Sequence, residues 1–221
     1  MNTSPSALPM ITEHQDVRSG LRYLTLESAP HGAEVALLFL HGAGERGGDI
    51  RQVLAYGLPA TLNAGTHSID CTVICPHLES GQVWQPVRLA HLIDALRQSF
   101  RRIVICGYSL GGTGICELIS TFGTLAELSI VVAGRTFAVP GDVPISGEQI
   151  FVEGEHDDWA DTAAFRSGLT ARAVPFTHVV LPGAGHFIAE ASMEVAAVTS
   201  ALEALGASYV RRTAESIAPN A

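Results

Sequence analysis

The stretch "ICGYSLGGTG" (105–114) sets one serine, Ser109, among four glycines, between an apolar run and a helix-compatible one. Gly107-Tyr108-Ser109-Leu110-Gly111 has the pattern G-x-S-x-G, in which a strand turns sharply into a helix and leaves the hydroxyl exposed at the turn. Glycines two residues to either side avoid collisions between the neighbouring strand and helix. A serine hydroxyl is a weak nucleophile near neutral pH, so covalent chemistry also requires a base and an acid that orients it. Two later segments offer them in the order acid, then histidine. "FVEGEHDDWAD" (151–161) brings Asp157 just past an apolar run, with Asp158 its close competitor and Glu155 and Asp161 weaker ones. "VVLPGAGHFIAE" (179–190) brings His186 in a glycine-rich loop ahead of a helical segment.

The fourth chemical element is "LFLHGAGERGGD" (38–49), where glycines after an apolar run let backbone N–H groups approach a substrate oxygen. Ala43 is the expected donor, with Gly42 second, and the N–H of Leu110 is its partner in an oxyanion hole. Gly42, Trp84, Tyr108 and Trp159 are candidate substrate-binding residues; the three aromatics follow strand ends and are as well suited to packing. Of the nine histidines, His14 and His31 precede the core, and His67 and His91 fall on helical or loop stretches. His178 lies within a strand. His41 is expected to hydrogen-bond its loop, and His156 and His77 to lie in the pocket or on the surface. No H-E-x-x-H spacing supports a metal hydrolase, so no metal site is assigned. The glycine-rich loops lack the lysine of a nucleotide-binding P-loop, so no cofactor is assigned.

Short runs rich in Val, Ile and Leu alternate with longer amphipathic segments, which predicts an α/β sheet with helices on both faces. Strands are predicted at 21–27, an antiparallel edge, and at 35–40, 71–76, 102–107, 128–133, 149–154 and 177–182. These runs lack strict alternation, as expected of strands covered on both faces. Helices are predicted at about 50–64, 87–99, 110–122, 159–172 and 189–206; Leu89, Leu92, Ile93, Leu96 and Phe100 mark one apolar face. Residues 17–208 are read as one domain, 1–16 as a flexible tail and 209–221 as a frayed one. The connection 134–148 is too short for a large lid.

The chain has 221 residues, 47% hydrophobic and 16% charged, a composition that folds unaided. Its net charge of −9 offers no basic field for nucleic acid or an anionic membrane surface. No apolar run approaches the roughly 20 residues needed to span a bilayer. The start lacks the pattern of a secretory signal, and the four cysteines, Cys71, Cys75, Cys106 and Cys116, form no C-x-x-C pair. Buried free thiols in a reducing cytoplasm are expected. The expected partner is a small-molecule ester, and the chain is expected to act as a monomer or homodimer.

"VALLFLHGAGERGGD", "VICPHLESGQVW", "GYSLGGTG", "GEHDDW" and "PGAGHF" together resemble the α/β-hydrolase superfamily over nearly the whole chain. Within it, the sequence is similar to small esterases and predicted peptidase-like hydrolases related to feruloyl and acetyl-xylan esterases, phospholipase/carboxylesterases and dienelactone hydrolases. The resemblance implies an α/β-hydrolase fold of mostly parallel, doubly wound sheet, forming a minimal single domain. It also implies a Ser109, Asp157, His186 triad, an oxyanion hole from Ala43 and Leu110, and serine carboxylesterase activity. Peptidases, amidases and thioesterases use the same triad, and a cofactor-free peroxidase or lyase shares the scaffold. A non-catalytic binding protein would keep the turn and lose the triad. Relatives often carry glutamine where "VICPH" has His77, which places His77 at the expected pocket rim. Dienelactone hydrolases carry a nucleophilic cysteine, whereas here the turn holds Ser109 and Cys106 lies upstream on the strand.

Overall fold

The computed structural model describes residues 8–27 and 34–212. In chain order, β1 (Met10–Gln15), β2 (Arg22–Glu27) and β3 (Val35–Leu40) lead to two short 3-10 turns, Ala43–Glu45 and Ile50–Leu54. α1 (Leu58–Asn63), β4 (His67–Ile69), β5 (Thr72–His77), α2 (Pro86–Leu96), β6 (Arg102–Tyr108), α3 (Leu110–Phe122) and β7 (Leu128–Val132) follow. The chain continues through β8 (Glu148–Gly154), α4 (Ala163–Ala171), β9 (Thr177–Leu181), α5 (Ala189–Met193), α6 (Ala196–Ala204) and β10 (Tyr209–Arg211).

Eight strands form one sheet in the order β1-β2-β5-β3-β6-β7-β8-β9, and β4 pairs with β10 in a separate two-stranded ribbon. From β5 to β9 the large sheet is parallel, and β1 and β2 are antiparallel additions. Alternation within the strands feeds two cores. Val35, Leu37 and Phe39 of β3 join α1, α5 and α6 on one face, while Ala36, Leu38 and Leu40 join α2, α3 and α4 on the other. Each such buried aliphatic side chain contributes about 1.5–3 kcal/mol, so the central strands are fixed from both sides and hold their carboxyl ends in place. Those ends carry the chemistry-bearing turns.

The predicted strands are all present, with three corrections. β2 is not the edge: β1 pairs outside it in full register from Met10↔Glu27 to Gln15↔Arg22. Residues 10–15 are therefore a strand where a flexible tail was expected; "MITEHQ" is largely exposed and held by backbone hydrogen bonds, so it carries no hydrophobic signature. At the far edge, β9 alternates between half-buried and exposed positions, being the last strand of the sheet with a neighbour on one side. At the carboxyl end, Tyr209–Arg211 is ordered as β10 against β4, contrary to fraying from 209; residues 213–221 and 1–7 lie outside the described residues, as does His31.

Two predicted helices divide. The 50–64 segment breaks at Gly57, whose φ of +70° is left-handed and where a Cβ would stand 2.8 Å from the Phe39 ring. The 189–206 segment breaks at Val195, whose backbone is extended at the start of α6. No helix is inserted in the connection from β7 to β8, so that connection places no helical lid over the sheet's carboxyl edge. Among the described residues, no helix is long and apolar enough to cross a membrane.

Candidate active site

The turn from β6 to α3 holds Ser109 at φ 52°, ψ −111°, a conformation rare outside glycine. The Ser109 N–H donates to Val132 O at 2.8 Å, which locks the strained residue to the neighbouring strand β7. Gly107 makes the turn sterically feasible, because a Cβ there would lie 2.4 Å from the Gly111 carbonyl. Strain is thus imposed by the sheet, and the hydroxyl stands clear of it.

His186 Nε2 lies 2.9 Å from Ser109 Oγ, and His186 Nδ1 donates to Asp157 Oδ2 at 2.8 Å. The other carboxylate oxygen, Oδ1, accepts the N–H groups of Trp159 (2.9 Å) and Ala160 (3.0 Å). Asp157 is 1% exposed and His186 12%, so their contact is largely shielded from water. The competing acids have other partners. Glu155 accepts the Gly183 N–H at 2.7 Å and Asp161 the Ala163 N–H at 3.1 Å. Asp158 lines the pocket beside His186 without bonding it. Glu155 thereby helps tie the Asp157 loop to the His186 loop, as does the His156 N–H donating to Ala184 O at 2.8 Å. The turn at Asp157 and a bridge between Arg135 and Asp161 occupy 157–161, which is why α4 starts at Ala163 rather than at 159.

Ala43 opens the 3-10 turn behind β3, and Leu110 opens α3. The first N–H groups of such turns have no partner within the element and are free to point at an oxygen. His41 holds the first of these loops. Its Nε2 accepts the Leu78 N–H at 3.1 Å, so its proton sits on Nδ1 and is donated to Gly42 O at 2.7 Å. Burial pulls the His41 pKa down to about 4. The unfolded chain takes up this proton near pH 6.5 and the folded chain does not, so stability falls as pH drops from 6.5 towards 4 and levels off below. The loss amounts to about 3 kcal/mol. In an NMR titration the His41 ring should keep its neutral chemical shift down to about pH 5; titration near 6.5 would contradict the burial.

The remaining predicted residues divide between support and rim. Trp84 is 3% exposed, and its Nε1–H donates to His41 O at 3.1 Å; it packs below the site and reaches only the side of an adjoining groove. Tyr108 is buried, its ring 5.0 Å from Tyr56 and 5.4 Å from His186. Gly42 is buried as well and caps the 3-10 turn. Trp159 is 64% exposed and stands 5.1 Å from His186 at the mouth. His77 is not at the rim: it is buried and lies 3.1 Å from Gly47 O, which holds the loop from beneath. His67, expected in a helix or loop, belongs to β4 and stacks on Tyr209.

Three residues escaped the sequence reading. Phe187, 79% exposed and 5.9 Å from His186, faces Tyr56 across 6.3 Å. An aromatic directly after His186 is the available signal for Phe187, whereas Tyr56 has none. Glu45, third in the 3-10 turn, folds back to within 3.1 Å of a Cβ built at Gly42, and burial raises its carboxyl pKa. Among the described residues, no three His, Cys, Asp or Glu side chains are grouped to hold a metal ion.

A mostly parallel sheet in this order, with a serine on the turn after β6 and an acid and a histidine on the turns after β8 and β9, defines the α/β-hydrolase fold. Known structures agree. The fold matches a predicted CIB-like hydrolase from Thermoplasma acidophilum at 16% identity and TM-score 0.61, covering 89% of this chain and 98% of that one. A lid-free α/β serine hydrolase from Xanthomonas campestris matches at 15% identity and TM-score 0.59, with 92% and 98% covered. A thermostable esterase matches at 17% identity and TM-score 0.61, with 89% of this chain covered but 63% of the longer partner. At these identities the likeness establishes the fold. No protein-family model and no curated protein matches the sequence.

Proposed function

We propose that the chain is a serine hydrolase that cleaves small carboxylic esters through an acyl-enzyme on Ser109. The observation that carries this reading is the unbroken hydrogen-bonded line from Ser109 Oγ through His186 to Asp157, at 2.9 and 2.8 Å. With Nδ1 donating to Asp157, the Nε2 lone pair faces the hydroxyl. As Ser109 Oγ bonds to the ester carbon, Nε2 takes its proton and the carbonyl electrons move to the oxygen. The N–H groups of Ala43 and Leu110 stabilise that oxyanion. The tetrahedral adduct then expels the alkoxide, which leaves as the alcohol with the proton from Nε2, and water repeats the sequence on the acyl-enzyme.

The leaving group must come within reach of His186 Nε2. A recess of about 400 Å³, its open side included, lined by His156, Asp158, Trp159, His186 and Phe187 suits it. With no helical lid in the β7–β8 connection, soluble short esters fit better than long-chain lipids. A fluorophosphonate probe should add one equivalent to the protein and map to the peptide containing Ser109, alongside turnover of p-nitrophenyl acetate. An unmodified Ser109 in the folded protein, or a label on another serine, overturns the proposal.

A further inference from the structure

A second groove starts at Leu110, the residue after Ser109, and enfolds about 670 Å³ of space, its open side included. One wall is a single face of α3: Leu110, Thr113, Gly114 and Glu117 stand at i, i+3, i+4 and i+7. The facing wall comes from Val83, Trp84, Gln85 and Pro86, at the start of α2. Val83 is exposed and the lining is mostly apolar up to Glu117, which brings a carboxylate to the far end. A Cβ at Gly114 would fall 2.5 Å from Trp84 Cβ, so glycine there lets the two walls close in.

Glu117 is half-buried, and the hydrogen bond its carboxylate accepts is a long one from Thr136 Oγ1 at 3.4 Å. Among the described residues it forms no ion pair. The nearby Arg135 stacks its guanidinium over the Phe137 ring, 5.6 Å from the centroid, instead of pairing with Glu117. The whole chain carries a charge of −9, which attracts cations and repels anions.

Resting on the ester-hydrolase reading, we infer that this groove binds the acyl group, and that the substrate class is an ester whose acyl chain is apolar near the carbonyl and cationic at its far end. The assignment to the acyl side follows from the chemistry. Of the two arms on the tetrahedral carbon, the leaving group must face His186, and His186 lines the other recess; the arm lying beside Leu110 is the acyl chain. Seven residues of α3 separate Leu110 from Glu117, about 10 Å along the axis, which sets the length of chain that reaches the carboxylate.

Three p-nitrophenyl esters with the same leaving group test this: 6-(trimethylammonio)hexanoate, neutral heptanoate and anionic hydrogen adipate. At low ionic strength the cationic ester should exceed the neutral one in kcat/KM by about fivefold, with the adipate below both. Glu117→Gln should bring the cationic-to-neutral ratio close to one, and Glu117→Lys should favour the adipate. A wild-type ratio of one, or a ratio that survives Glu117→Gln, overturns the inference. Calorimetric titration with hexyltrimethylammonium separates the two proposals, because it needs no turnover. If none of the esters is cleaved yet this cation binds and Glu117→Gln weakens it about fivefold, the hydrolase reading fails and the cation-binding groove stands. If esters are cleaved but no cation binding is detected, the groove assignment fails and the hydrolase reading stands.

Discussion

Asp157→Asn is expected to lower kcat for p-nitrophenyl acetate about 10⁴-fold while leaving the protein folded. The reason lies in how the carboxylate divides its two oxygens. Oδ1 accepts two backbone N–H groups, from Trp159 and Ala160, and Oδ2 accepts the proton of His186 Nδ1. An asparagine must keep its single oxygen on the two backbone donors, since turning its NH2 towards them strands both at about 1–3 kcal/mol each. The NH2 then faces Nδ1 and forces that nitrogen to accept. His186 is left with its proton on Nε2, pointing at Ser109 Oγ, and can no longer take the hydroxyl proton. Because the turn at 157–160 retains its hydrogen bonds, the melting temperature should move little. Asp158→Asn is the control: Asp158 does not bond His186, so a comparable collapse of kcat in that variant would show that the acid has been misassigned.

That choice between two adjacent aspartates marks the border of what the sequence discloses. Ser109, Asp157 and His186 are legible because each follows an apolar run, and a parallel sheet brings the ends of its strands to one edge whatever their separation in the chain. The central strands are equally legible, since Val, Ile and Leu must fill both cores. β1 is not, because "MITEHQ" is held to β2 through backbone groups and leaves its side chains largely in water. The β4–β10 ribbon joins residues about 140 apart through stacking of His67 on Tyr209, a pairing without a local pattern. Pocket residues are the hardest to read. Trp84 and Trp159 both follow strand ends, yet one packs beneath the loop at His41 and the other stands in solvent beside His186. A three-dimensional property, which side of a loop faces the core, decides between them.

Gly111→Ala should destabilise the protein by about 4 kcal/mol or more, enough to unfold many domains of this size. A Cβ at this position would lie 1.9 Å from Leu40 O and 2.6 Å from Leu40 C, both backbone atoms of the central strand β3. No side-chain rotation relieves such an overlap, so either β3 or the start of α3 must shift, and both are packed from two sides. Gly185→Ala provides the comparison: its nearest neighbour would be His156 O at 3.9 Å, an ordinary contact, and its stability should stay within about 0.5 kcal/mol of the parent. Urea unfolding of both variants measures the difference; a Gly111→Ala midpoint equal to the parent's would refute the close approach of α3 to β3. The same contact links stability to chemistry. Leu40 directly precedes His41, Gly42 and Ala43, so any surviving Gly111→Ala protein has moved the Ala43 N–H relative to that of Leu110, the pair proposed to hold the oxyanion. A displacement of about 1 Å there lowers turnover by about 100-fold even in the molecules that fold. Gly111 therefore sets the spacing between the two segments proposed to face the substrate oxygen, and on that proposal the narrow gap between helix and strand matters for turnover as much as for folding.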